Sequence, residues 1–108
     1  MDSEQRRYAR VAGPFEGYRV GGMDVPVTIH ELSEGGCFVN SLGAAPAVGR
    51  TLALRIDLPG EGWIALKCQA VYVNPEFGFA VSFVNVPPEV ENKLARVVAQ
   101  RREEPGAS

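Results

Sequence analysis

From Thr51 to Leu58 every second residue is apolar, and this run constrains the fold of the chain more tightly than any other. Leu52, Leu54, Ile56 and Leu58 fall on one side of an extended chain, with Arg55 and Asp57 on the other. A period of two marks a strand with one face in a core and one in water. Pro59-Gly60-Glu61-Gly62 then reads as a turn. Trp63 to Asn74 continues as a longer strand, with Lys67 and Gln69 on its wet face. Asn74-Pro75-Glu76 makes a hairpin loop, and Gly78 to Phe83 returns with Phe79, Val81 and Phe83 on one face.

The earlier half repeats the pattern less cleanly. Phe15 to Val20 is a first strand, and Gly21-Gly22 turns it. Val25 to Leu32 follows, with Val25, Val27 and Ile29 on one face and Thr28 and His30 on the other. Pro26 near its start suits a strand end or an edge. Glu31 to Gly36 interrupts the ladder, Phe38 to Ser41 resumes it, and Leu42 to Gly49 is a loop of small residues. After Pro87-Pro88 the period changes. Val90, Leu94, Val97 and Val98 share one helical stripe, Glu89 and Glu91 sit in the first turn, and Arg101 and Arg102 sit in the last. That charge order complements the helix dipole.

About six short strands and one helix predict an all-β domain, an antiparallel sandwich or barrel whose C-terminal helix plugs an opening or covers an edge. A chain of 108 residues suits one domain with a thin core, which favours a closed sheet over exposed edges. Residues 1–14 read as an arginine-bearing flexible arm ended by Gly13-Pro14, 15–86 as the sheet, 87–102 as the helix and 103–108 as a frayed tail.

The net charge of −2 argues against a bulk nucleic-acid binder, DNA or RNA. The apolar runs are too short for a membrane span, and Asp2 to Arg7 is polar where a signal region would be apolar, so a cytoplasmic location is expected. Cys37 and Cys68 lie in strand-like surroundings and suit reduced core filler; a pair of cysteines and one histidine is too few for a zinc site. A nucleophilic site needs a positioned base. The one histidine, His30, is three residues from Ser33, so on a strand the two point to opposite faces. The acidic pairs Glu31/Glu34 and Asp57/Glu61 are expected to be solvated. No P-loop, dinucleotide fingerprint or zinc-protease motif is present, so catalysis and bound cofactors are not expected.

Two stretches remain. Gln5 to Val11 carries Arg6, Arg7 and Arg10, and His30 to Val39 contains a polar turn with Gly35 and Gly36. By themselves the arginines better suit a solvated basic end, and the turn equally suits a plain hairpin. Together they resemble the PilZ domains, which carry R-x-x-x-R followed by [D/N]-x-S-x-x-G. Arg6 and Arg10 match the first element; Ser33 and Gly36 match the second. Glu31 stands where the family has Asp or Asn. Gly78 to Phe83 and the final helix are also similar, so the resemblance covers most of the chain.

The resemblance implies a six-stranded antiparallel barrel followed by a helix. It also implies a receptor for cyclic di-GMP, a bacterial second messenger used in motility and biofilm regulation. Arg6 and Arg10 would fork onto guanine O6 and N7 or pair with phosphates, with Arg7 a third contact. Ser33 would offer its hydroxyl, Gly35 and Gly36 their backbone donors, and Glu31 would accept from guanine N1–H and N2–H₂. The extra methylene of Glu31 moves its carboxylate out by one bond; losing one good charged hydrogen bond would cost ~1.5–3 kcal/mol, roughly 10- to 100-fold in affinity. The implied role is an adaptor, monomeric or homodimeric, in which the arm closes over the ligand and a partner protein reads the change. The competing role is a protein-interaction module that binds cyclic di-GMP weakly or not at all.

Overall fold

A computed structural model describes residues 9–41 and 43–103. The first eight residues of the expected arm, Leu42 of the small-residue loop and the tail 104–108 lie outside the described residues. Six strands run β1 (Val11–Val20), β2 (Val25–Leu32), β3 (Gly36–Ser41), β4 (Thr51–Leu58), β5 (Gly62–Asn74) and β6 (Gly78–Val84), followed by helix α1 (Pro88–Glu103). They pair antiparallel into a closed barrel in the order β1-β2-β3-β6-β5-β4. The architecture is therefore the barrel, rather than the sandwich, of the two that the pattern allowed.

Two boundaries differ by more than one residue from the sequence reading, for one reason. β1 begins at Val11, not Phe15, because Val11 and Ala12 pair with Leu32 and Glu31 at the far end of β2. Gly13-Pro14 ends no arm. It lies inside β1, where the register shifts between Ala12 and Phe15; a proline without an N–H is tolerated at such an irregularity. Likewise β3 begins at Gly36, not Phe38, because Gly36 and Cys37 pair with Ser82 and Val81 of β6. Glu31 and Leu32 stay in the ladder, so the break shrinks to Ser33–Gly35. In both places a distant strand recruits residues that look like turn formers locally.

β1 closes the ring by pairing twice. Val11 to Arg19 follows β2, while Gly17 to Val20 also pairs with β4. The two ladders meet at Gly17, where a Cβ would lie 2.6 Å from the Arg55 carbonyl oxygen. Only a residue without a side chain lets the strands approach that closely.

The interior is filled by the alternating residues: Phe15, Ile29, Val39, Leu54, Ile56, Cys68 and Phe79 are buried, as are Leu94, Val97 and Val98 of α1. Each such aliphatic or aromatic side chain contributes about 1.5–3 kcal/mol when fully buried. Beyond the stretch paired with β4, the first half of β1 is left to α1. Arg101 donates to the Ala12 carbonyl at 3.2 Å and lies 4.7 Å over the Phe15 ring. Near its middle the helix is held by Arg96, which forks onto both carboxylate oxygens of Glu61 at 2.9 Å. Glu61 is thus not the solvated carboxylate that its turn position suggested; its pKa is lowered by the hydrogen bond from Arg96.

Candidate functional site

The site begins with register. Val11 opposite Leu32 and Ala12 opposite Glu31 bring Arg10 beside the end of β2 and the turn that follows it. Arg10, Glu31, Ser33, Gly35 and Gly36 line one open cleft of about 400 Å³ on the outside of the barrel. That size is within the range of small-molecule sites, ~300–1,000 Å³. Arg10 Nη1 stands 3.9 Å from Glu31 Oε1. Arg6 and Arg7 lie outside the described residues, so the cleft's described cation is Arg10.

The turn is built by Ser33. Its Oγ accepts from the backbone N–H of Gly35 at 3.2 Å and of Gly36 at 3.1 Å, and donates to the Gly36 carbonyl at 3.2 Å. The Ser33 N–H donates to the same carbonyl at 2.9 Å. The hydroxyl and the two glycine donors therefore serve one another, where the sequence reading had them open to a ligand. Gly36 has a packing reason as well. A Cβ there would run into the Val81 carbonyl oxygen of β6, so its missing side chain admits the neighbouring strand.

The floor and far wall come from residues that the sequence reading did not single out. Across the outer face Glu31 pairs with Phe38, Phe38 with Ala80, and Ala80 with Tyr72. A small Ala80 between two aromatic residues leaves a depression, roughly two inter-strand spacings (~9–10 Å) wide. Tyr72 reaches the outer face because the register shifts between Ala70 and Tyr72. Without that shift, the alternation of Ile64, Leu66, Cys68 and Ala70 would carry it inward. The consecutive apolar residues Val71-Tyr72-Val73 were the available signal, since three in a row break a period of two.

A second cleft of about 360 Å³ adjoins the first. It shares Glu31 and Phe38 with it and adds His30, Asn40, Asn74 and Phe77. His30 and Ser33 thus line different clefts. Cys37 lies at the base of the first. Burial, with a smaller contribution from Cys68, pushes its thiol well above the usual range, and burial pushes Cys68 up to about 12. Both cysteines are free and buried, and neither is a thiolate nucleophile at neutral pH. Among the described residues no three His, Cys, Asp or Glu side chains are placed to hold a metal, and no helix is long and apolar enough to cross a membrane. The cleft offers a cation, a carboxylate, a shaped turn and aromatic surface, which suits recognition of a flat, anionic molecule.

A family model for the PilZ domain matches residues 4–100. Solved structures agree on the fold. A PilZ domain with c-di-GMP of YcgR from Escherichia coli is 20% identical, covers 89% of this chain and 90% of that one, and superposes with a TM-score of 0.69. The Bacillus subtilis inhibitor of motility, MotI/DgrA, is 18% identical over 90% of this chain and 51% of its own, with a TM-score of 0.78. A crystal structure of E. coli YcgR in complex with c-di-GMP is 23% identical over 92% of this chain and 47% of its own, with a TM-score of 0.72. The chain therefore spans about half of these two longer proteins. No curated protein shows significant similarity to the chain.

Proposed function

The chain belongs to the PilZ domain family, and from that premise we propose that it is a cyclic di-GMP receptor domain that acts as an adaptor and not as a catalyst. One observation carries the reading: Arg10, Glu31, Ser33, Gly35 and Gly36, chosen from a sequence motif, line a single cleft. Four of the five are neighbours in sequence, and the pairing of β1 with β2 brings the fifth, Arg10, to them. The E. coli YcgR PilZ domain that shares this fold was solved with the same nucleotide, which supports the choice of ligand.

In this reading Arg10 gives its guanidinium to a phosphate or to guanine O6 and N7. Arg6 and Arg7 close over the ligand from the amino-terminal side. Glu31 accepts from the guanine N1–H and N2–H₂. Ser33 acts chiefly through the turn that it caps, which fixes Gly35 and Gly36 beside the ligand. Tyr72 and Phe38 offer rings to a base. Each backbone residue that the ligand orders costs ~1–2 kcal/mol, so several charge-assisted bonds must form together. In this reading a protein partner reads the change that the ligand brings about at the arginine arm.

A second reading, a protein-interaction module with weak or no nucleotide binding, is favoured by two features. Glu31 replaces the family's Asp or Asn, and it already faces Arg10 across 3.9 Å. Calorimetric titration with cyclic di-GMP separates the two. Saturable heat with a 1:1 or 2:1 ratio supports the receptor; no heat at tens of micromolar protein supports the interaction module.

A further inference from the structure

We propose that the second cleft, between His30, Asn40, Asn74 and Phe77, receives the second base of the bound cyclic dinucleotide. The inference rests on the receptor reading above and assigns a subsite to it.

The ligand has two flat bases held apart by one ring of sugars and phosphates, and the barrel presents two clefts side by side that share Glu31 and Phe38. If one base lies at Arg10 and the Ser33 turn, the other has the adjoining cleft within its span. The wall of that cleft is suited to a base. Phe77 is 60% exposed at the tip of the β5–β6 hairpin, where an apolar ring gains little from the protein's own core. The backbone that carries it is nonetheless held in place: Asn40 Nδ2 donates to the Phe77 carbonyl at 2.7 Å, and the Phe77 N–H donates to the Asn74 carbonyl at 3.1 Å. An exposed ring on a fixed backbone is a stacking platform with part of its ordering cost already met.

The polar groups are complementary as well. Asn40 uses one N–H of its amide on Phe77, which leaves its Oδ1 as an acceptor and its second N–H as a donor. Asn74 Oδ1 accepts from the Glu76 N–H at 3.0 Å, which leaves its Nδ2 as a donor. Each amide is oriented by a bond that it already makes. The cleft thus carries both acceptors and donors, and a guanine edge carries both kinds of group.

The test uses the whole chain, isotope-labelled, with cyclic di-GMP and guanosine monophosphate as probes, and the Phe77→Ala variant. Cyclic di-GMP should shift the backbone amides of both the Ser33–Gly36 turn and the Asn74, Glu76, Phe77 and Gly78 hairpin, whereas the single-base probe should shift the turn alone. Phe77→Ala should weaken cyclic di-GMP binding about tenfold, the scale of one lost base–aromatic stack, with an unchanged melting temperature because the ring is exposed. Binding with a silent hairpin and an unaffected Phe77→Ala variant overturns this inference and leaves the receptor reading intact. No shift anywhere with cyclic di-GMP overturns both.

Discussion

Arg10 and Glu31 face each other across 3.9 Å, with 64% and 56% of their side chains open to solvent. A pair this exposed contributes ~0–1 kcal/mol to stability. The barrel gives up little when either group turns to a ligand. The side chains of Arg10 and Glu31 are therefore little committed to the fold, whereas Ser33 and Gly36 are built into it.

Arg10→Ala should abolish measurable cyclic di-GMP binding by calorimetry. Its stability cost should stay below about 1 kcal/mol, since among the described residues the side chain has only the exposed pair to lose. A melting temperature many degrees lower would make Arg10 a structural residue.

Glu31→Asp should tighten cyclic di-GMP by up to roughly tenfold, the value of about one improved hydrogen bond to a charged acceptor. The shorter side chain restores the family's residue and draws the carboxylate back from Arg10. Weaker binding in the variant would show that the longer side chain is matched to this cleft.

Ser33→Ala removes three hydrogen bonds of the turn at once. A loss of about 1–2 kcal/mol is expected, seen as a fall in melting temperature of roughly 5–10 °C. If the hydroxyl served only the ligand, affinity would drop and the melting curve would not move.

Gly36→Ala places a methyl group against the Val81 carbonyl, so β3 and β6 must separate locally. Overpacking of this kind costs typically ~1–3 kcal/mol. Urea denaturation should show a lower midpoint, and ligand affinity should fall because the turn moves with the strand.

Glu61 ties α1 to the β4–β5 turn through Arg96, and that hydrogen bond lowers the Glu61 pKa in the folded protein. A carboxyl with a lower pKa folded than unfolded adds stability above its unfolded value, near ~4.3. That contribution is lost as pH falls through the folded value. Glu61→Gln should therefore destabilise the protein near neutral pH and have a smaller effect well below pH ~4. Chemical denaturation of both proteins across this range measures it; an equal difference at every pH would assign the effect to packing.

Much of the molecule was legible residue by residue. The alternation from Thr51 to Leu58, the return through Phe79 and Val81, and the stripe of Leu94, Val97 and Val98 each declared the face that is now buried. They could do so because strand and helix periodicities are local properties: a side chain's direction follows from its neighbours in sequence. The motif positions Arg10, Ser33 and Gly36 were legible for a different reason, as a spaced set that resembles a family. What only the tertiary structure decided depends on pairing between distant strands. β6 drew Gly36 into the sheet, β2 drew Val11 and Ala12 out of the expected arm, and the shift after Ala70 turned Tyr72 toward the cleft. No local pattern encodes those outcomes, because a one-residue change of register reverses which face a side chain occupies, and register is settled by the partner strand.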